Sequence, residues 1–200
     1  IGGHRGGKKD DELYLRWLQL GVFSPVNRLH SSNNELMGKE PWKHSKQIEA
    51  CAEDALRLRH RLLPYIYTMN YRCHKNGTPL VEPMYYSFPE ENEAYNCKNQ
   101  FYFGSEMIVA PITSKSDKHT LTACSDVWLP EGKFTDIFTN KTYIGGEKIR
   151  MFRGMESIPV LAKEGAIIPL SADGESNDIS LLILNISHYY YLSLHPQYIH

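Results

Sequence analysis

Residues 22–32 read VFSPVNRLHSS. Val22, Phe23 and Val26 make a short β-prone run, and the run ends in Asn27, Arg28, His30, Ser31 and Ser32. A strand that turns polar at its tip in this way predicts a barrel strand feeding a ligand site. Imidazole donates one hydrogen bond and accepts another, and a guanidinium offers a rigid fork of donors. Together they suit the vicinal hydroxyls of a sugar. Taken alone, the stretch fits an ordinary strand and polar loop equally well, so its surroundings decide.

Two hundred residues hold one domain or two small ones. A hydrophobic content of 42% and a charged content of 22% are ordinary for a folded protein. With a net charge of −1 and mixed signs along the chain, there is no basic surface to track phosphates, so no nucleic-acid partner is expected. No apolar run is long enough for a membrane helix and the amino end has no signal-peptide pattern, so the expectation is a cytoplasmic protein with no membrane partner. The opening at Ile1 suggests a start inside something longer. Cys51, Cys73, Cys97 and Cys124 are scattered and predict free thiols in a reducing compartment. The nine histidines include no H-x-x-x-H pair, and neither a metal nor another cofactor is expected. The sequons at Asn76, Asn140 and Asn185 would matter only in a secreted eukaryotic protein.

Around the opening stretch, the pattern up to about residue 100 alternates helix and strand. Asp10 or Asp11 caps a helix over 12–20, with Leu13, Trp17 and Leu20 as its buried stripe. Gly21 ends it and the strand follows. A polar loop from Ser31 to about His44 carries Glu40-Pro41-Trp42. Residues 45–75 then form a long helix on Ile48, Ala52, Ala55, Leu58, Leu62, Ile66, Met69 and Cys73, with Glu49, Glu53, Arg57 and Arg61 as a solvated face. Pro64 predicts a kink near Arg61. Asn76-Gly77 closes the helix, Leu80–Tyr86 reads as a strand, and a segment around 90–100 as helical. Such alternation marks parallel α/β architecture.

After Gly104 the texture changes to short apolar runs separated by Pro, Gly and Asn turns, which predicts an antiparallel β-sandwich. The expected division is therefore 1–103 and 104–172, with 173–200 a divergent tail.

Five segments carry a resemblance: IGGH at 1–4, ELYLRWLQLGVFSPVNRLH at 12–30, RLRHRLLPYIYT at 57–68, PLVEPMYY at 79–86, and VWLPEGKFTDIFTNKTYIGGEKI through IPVLAKEGAIIPL at 127–170. In order and in spacing, they resemble the family-31 glycoside hydrolases, the α-glucosidases and α-xylosidases. The resemblance implies the end of a (β/α)8 barrel followed by the proximal C-terminal sandwich. It makes 22–27 barrel strand seven and 79–84 strand eight. It implies that His30 contacts the sugar at the cleavage subsite and that Arg28 orients it. It also implies that His4 stands where the family usually has an aromatic residue. The implied substrate is an α-glucoside or α-xyloside.

The chemistry implied is retaining, with two carboxylates about 5–5.5 Å apart. The resemblance places both aspartates ahead of Ile1, so none of the catalytic residues is expected here and the missing barrel residues are the expected structural partner. Glu82 is the one substitute worth weighing, and a salt bridge or hydrogen-bond anchor is its more ordinary role. The glycines at 2, 3, 6 and 7 lack the spacing of a phosphate cradle. An activated Ile1-Gly2-Gly3 terminus of a trypsin-like protease fails because no Gly-Asp-Ser-Gly segment follows.

A different class of function is a non-catalytic carbohydrate-binding or structural sandwich using Trp128, Phe134, Phe138 and Tyr143. Their period-two placement favours core roles. Finally, two strands of a barrel would leave open ladders, so the isolated chain is expected to be unstable or to self-associate.

Overall fold

The structure is a computed structural model and describes residues 9–31, 37–171, 174 and 186–190. Its helical part begins with α1 (Asp11–Val22), whose Asp10 side chain accepts the Leu13 amide at 3.0 Å. A short 3-10 turn (Pro41–Lys43) leads into α2 (Lys46–Arg61) and α3 (Leu63–Asn76). The expected kink is present: helix is interrupted at Leu62, with Pro64 in the first turn of α3, where its missing N–H costs nothing. Gly77, at φ 73°, takes the left-handed position that ends α3.

The strands β1 (Val81–Pro83), β2 (Phe101–Phe103), β3 (Met107–Val109), β4 (Ala123–Leu129), β5 (Lys133–Asp136), β6 (Thr142–Ile144), β7 (Glu147–Arg153), β8 (Val160–Lys163), β9 (Ile167–Ser171) and β10 (Ile186–Tyr190) follow. Two short helices, α4 (Met84–Ser87) and α5 (Asn92–Asn96), lie between β1 and β2. One sheet runs β1-β2-β3-β8-β5-β6; β4 pairs with β7 and β9 with β10, every pair antiparallel.

Side-chain alternation builds the layers. Phe103, Met107, Val109, Val160 and Ala162 face Leu62, Tyr65, Ile66 and Met69 of the helical layer. Their neighbours Ile108, Leu161 and Phe134 face Val127, Leu129 and Met151 of the β4–β7 ribbon. Successive residues of a strand point to opposite faces, so one sheet serves two cores. At the seam, Tyr65 donates to the Phe103 carbonyl (2.8 Å) and accepts the Glu106 amide (3.1 Å). Gly104 sits beneath it at φ 63°, where a Cβ would run into the Tyr65 hydroxyl oxygen.

Three expectations change. Residues 22–27 form no strand: Val22 ends α1, and 23–31 have no ladder among the described residues. A barrel strand exists through hydrogen bonds to its neighbours, and none pairs with it here. The expected parallel strand eight is β1, which pairs antiparallel with β2. Third, the buried face of α1 is Tyr14, Leu15, Leu18 and Val22, while Leu13 and Trp17 are exposed. The sandwich expectation holds, since the sheet and the β4–β7 ribbon enclose a common core.

Candidate functional site

The segment from Phe23 to Ser31 is held at one end and open at the other. Phe23 is buried and meets Phe103 edge-on, their centroids 5.6 Å apart. Ser24 Oγ donates to the Leu20 carbonyl at 2.8 Å. Arg59 reaches across from α2 and donates to the carbonyls of Val22 (2.7 Å), Ser24 and Pro25 (3.0 Å). A guanidinium is suited to this because its donors are coplanar and fixed. Burial lowers the Arg59 pKa from its ordinary value.

Beyond Pro25 exposure alternates. Asn27, Leu29 and Ser31 are half-buried; Arg28 and His30 are exposed. Leu29 packs on the Tyr14, Leu15, Leu18 and Ile48 cluster. Arg28 and His30 are thus exposed on either side of the half-buried Leu29. Both also have interacting partners. His4 lies outside the described residues.

A second device joins the start of α1 to the start of α2. Asp11 accepts from His44 Nδ1 (2.8 Å) and from the Ser45 amide (3.1 Å). Because a carboxylate only accepts, Nδ1 carries the proton. Burial pushes the Asp11 carboxyl up, but the His44 and Ser45 hydrogen bonds outweigh it and hold the pKa below its ordinary value. The His44 ring, 2% exposed, stacks on Tyr14 at 3.8 Å and 10°. Burial, assisted by the Glu40 charge, pushes the Tyr14 phenol up to about 12.

The other carboxylates near these helix ends are occupied structurally. Asp10 caps α1 and pairs with Lys115; Glu12 accepts the Ser116 amide (2.8 Å) and hydroxyl (2.6 Å). Glu40 pairs with Lys43 at 3.4 Å. Glu82 is half-buried in a cleft of about 310 Å³ shared with Arg72, Tyr102 and Lys163, and makes no ion pair among the described residues. The anchor role expected for it is therefore not seen.

Of the sandwich aromatics, Trp128 and Phe134 are buried in the core, Tyr143 is half-buried under Lys141, and Phe138 is 38% exposed. Gln100 holds the Trp128 backbone from both sides, donating to its carbonyl (2.6 Å) and accepting its amide (2.8 Å). No group of three His, Cys, Asp or Glu residues able to hold a metal occurs among the described residues. No helix among them is long and apolar enough to cross a membrane.

Arg59 and His44 escaped the sequence reading. Arg59 lies among Arg57, His60 and Arg61, where the solvated-face pattern concealed it, and His44 read as loop. The available signal for Arg59 was its offset of two positions from the Arg57/Arg61 face.

The chain is similar to known proteins over most of its length. Residues 1–69 match the model of the glycosyl hydrolases family 31 TIM-barrel domain, and residues 77–168 match that of the glycosyl hydrolase family 31 C-terminal domain. A probable glucan 1,3-alpha-glucosidase of Arabidopsis thaliana is 33% identical over 170 residues, covering 84% of this chain and 18% of that protein. The cycloalternan-forming enzyme of Listeria monocytogenes, solved with a pentasaccharide substrate, superposes with a TM-score of 0.77 at 30% identity, covering 88% of this chain and 17% of that one. An alpha-xylosidase from a soil metagenome, solved with xylose, gives 0.71 at 31% identity, covering 83% and 27%. The chain spans about a fifth of the length of the curated relatives it matches.

Proposed function

The chain belongs to glycoside hydrolase family 31, a family of α-glycosidases, and on that premise we propose that it is part of a retaining enzyme that hydrolyses terminal α-linked glucosyl residues. In this reading the chain contributes part of the sugar subsite. His30 contacts the sugar, Arg28 orients it or the loop, and His4 lines the same subsite. The catalytic carboxylate pair stands on polypeptide outside these 200 residues, in the barrel residues that complete the site. The sugar is an α-glucoside or α-xyloside.

The observation that supports the reading is the exposure of Arg28 and His30, alternating with half-buried Asn27, Leu29 and Ser31, at the end of a segment clamped by Arg59. The carboxylates support the other half. Retaining chemistry needs two facing one sugar, whereas Asp10, Asp11, Glu12 and Glu40 are engaged in helix caps and ion pairs and Glu82 is the one carboxylate among the described residues lining its cleft. The four cysteines are free thiols, which fits a reducing compartment, and we place the protein in the cytoplasm.

The test is a pair of measurements on the purified chain. Saturation-transfer NMR with glucose and with xylose is expected to show weak contact that His30→Ala removes. A chromogenic α-glucoside is expected to give no turnover. Turnover by the chain, or sugar contact indifferent to both His30→Ala and Arg28→Ala, overturns the assignment.

A further inference from the structure

The helices α4 and α5 turn one side inward and leave aromatic residues on the other. Met84, Ala94 and Cys97 join the core beneath Trp128. Outward lie Tyr85, Tyr86 and Tyr95, exposed by 41%, 64% and 49%. The rings are ordered among themselves: Tyr85 and Tyr95 stack with centroids 5.2 Å apart and planes 9° apart, and Tyr86 meets Tyr85 edge-on at 5.4 Å and 70°. Tyr95 donates its hydroxyl to the Pro89 carbonyl at 3.0 Å, which fixes that ring. The hydroxyls of Tyr85 and Tyr86 make no hydrogen bond among the described residues. Nearby Lys148 is already paired with Glu93 at 2.9 Å.

We propose that this tyrosine surface is a carbohydrate-binding site for a short stretch of α-glucan. Three properties select that ligand. Preordered tyrosines provide apolar faces at little entropic cost, with hydroxyls beside them for hydrogen bonds, and a pyranose ring offers both matching surfaces. The exposed tyrosine area, about 300 Å² on ordinary aromatic side-chain areas, falls well short of the roughly 800 Å² per partner that a stable protein interface buries. It covers about one or two sugar rings. The patch also lacks an uncommitted cation at Lys148 that would favour an anionic ligand. The choice of an α-glucan over other neutral glycans rests on the family-31 reading above.

The probe is maltotetraose, titrated into the purified chain by calorimetry and followed by saturation-transfer NMR. Expected is saturable binding that Tyr85→Ala and Tyr95→Ala each weaken about fivefold to tenfold, the size of one lost aromatic contact. Tyr85→Phe should lose less, and the calorimetrically saturable binding should survive His30→Ala, which removes only the weaker subsite contact. Near-UV circular dichroism checks the fold of each variant. If an alanine variant unfolds, protection of Tyr85 and Tyr86 from tetranitromethane by the sugar reads the same contact on the unchanged chain. No saturable binding, tyrosine variants that bind normally, or equal nitration with and without sugar overturns the site. Binding lost only in His30→Ala overturns it while upholding the subsite. Saturable binding lost in the tyrosine variants, with the weak His30-dependent contact retained, upholds both sites.

Discussion

The guanidinium of Arg59 lies 2.7 Å from the carbonyl oxygen of Val22, and the same group also holds Ser24 and Pro25. One side chain thereby fixes the exit of α1 and the entry to the segment carrying Arg28 and His30. Without it, three carbonyls lose a charged donor. Arg59→Met should destabilise the chain by about 1–3 kcal/mol in urea unfolding, given the loss of partly buried hydrogen bonds from a charged donor. Arg59→Lys should recover only part of this, since an ammonium cannot span three carbonyls in one plane. A methionine variant as stable as the unchanged chain would remove the clamp from the account.

Asp136 and Arg153 form an ion pair in the sandwich, at 0% and 9% side-chain exposure. Asp136 also accepts the Phe138 (2.9 Å) and Thr139 (3.2 Å) amides, so its charge is compensated from both sides. Arg153→Met strands the carboxylate and should cost about 3–5 kcal/mol by chemical denaturation. The double variant Asp136→Asn with Arg153→Met keeps an acceptor for the turn and removes the stranded charge. It should therefore be more stable than Arg153→Met alone.

Two glycines with positive φ provide a graded test of packing against backbone strain. At Gly77, φ 73°, nothing lies within 4 Å of an added Cβ. Gly77→Ala should cost about 1 kcal/mol, the conformational penalty alone. At Gly104, φ 63°, the Cβ also collides with Tyr65, so Gly104→Ala should cost clearly more, about 2–4 kcal/mol. Equal costs in urea titrations would show that the Tyr65 seam gives way freely.

Acid should loosen the contact between α1 and α2. Burial works against the Asp11 carboxylate, but hydrogen bonds from His44 and Ser45 hold its folded-state pKa below the ordinary aspartate value. In the window between the folded and unfolded values the unfolded chain binds more protons, so stability rises with pH there. The Asp11 contribution is complete above the unfolded value and is lost as pH falls through the folded one. Asp10, Asp117 and Asp126 are lowered as well and share the trend. Melting temperatures from pH 6 down to about 2 should fall less steeply for Asp11→Asn than for the unchanged chain. Parallel curves would deny Asp11 its part.

Self-association is the expected behaviour of the isolated chain. The six-stranded sheet has β1 and β6 at its edges, and Leu13, Trp17 and Val26 stand exposed by 56%, 41% and 75%. Open ladders are templates for pairing, and exposed apolar side chains add to the tendency. Light scattering after size exclusion should find species heavier than the 23.0 kDa chain. A single monomeric peak with a cooperative melt would contradict this.

Much of the helical layer was readable from local chemistry. Pro64 breaks the long helix because it has no N–H to give and its ring crowds the preceding turn. Gly77 ends it because a left-handed residue costs glycine least. Asp10 caps α1 through a bond spanning three residues. The run at 22–32 also named Arg28 and His30, both of which are exposed. The clamp on that run was not readable, because Arg59 and Val22 are 37 positions apart and no periodicity links them.

Sequence by itself determined the helix stops, the change after Gly104 to short strands, and the motifs that carry family membership, since each depends on a residue and its immediate neighbours. Tertiary structure alone decided which side of α1 is buried, whether 22–27 is a strand, and which strand β1 pairs with. Leu13, Trp17 and Leu20 repeat along a helix as plausibly as Leu15, Leu18 and Val22, and only the surface packed opposite chooses between the two stripes. Likewise a strand exists through its partner's hydrogen bonds, and those lie far away along the chain.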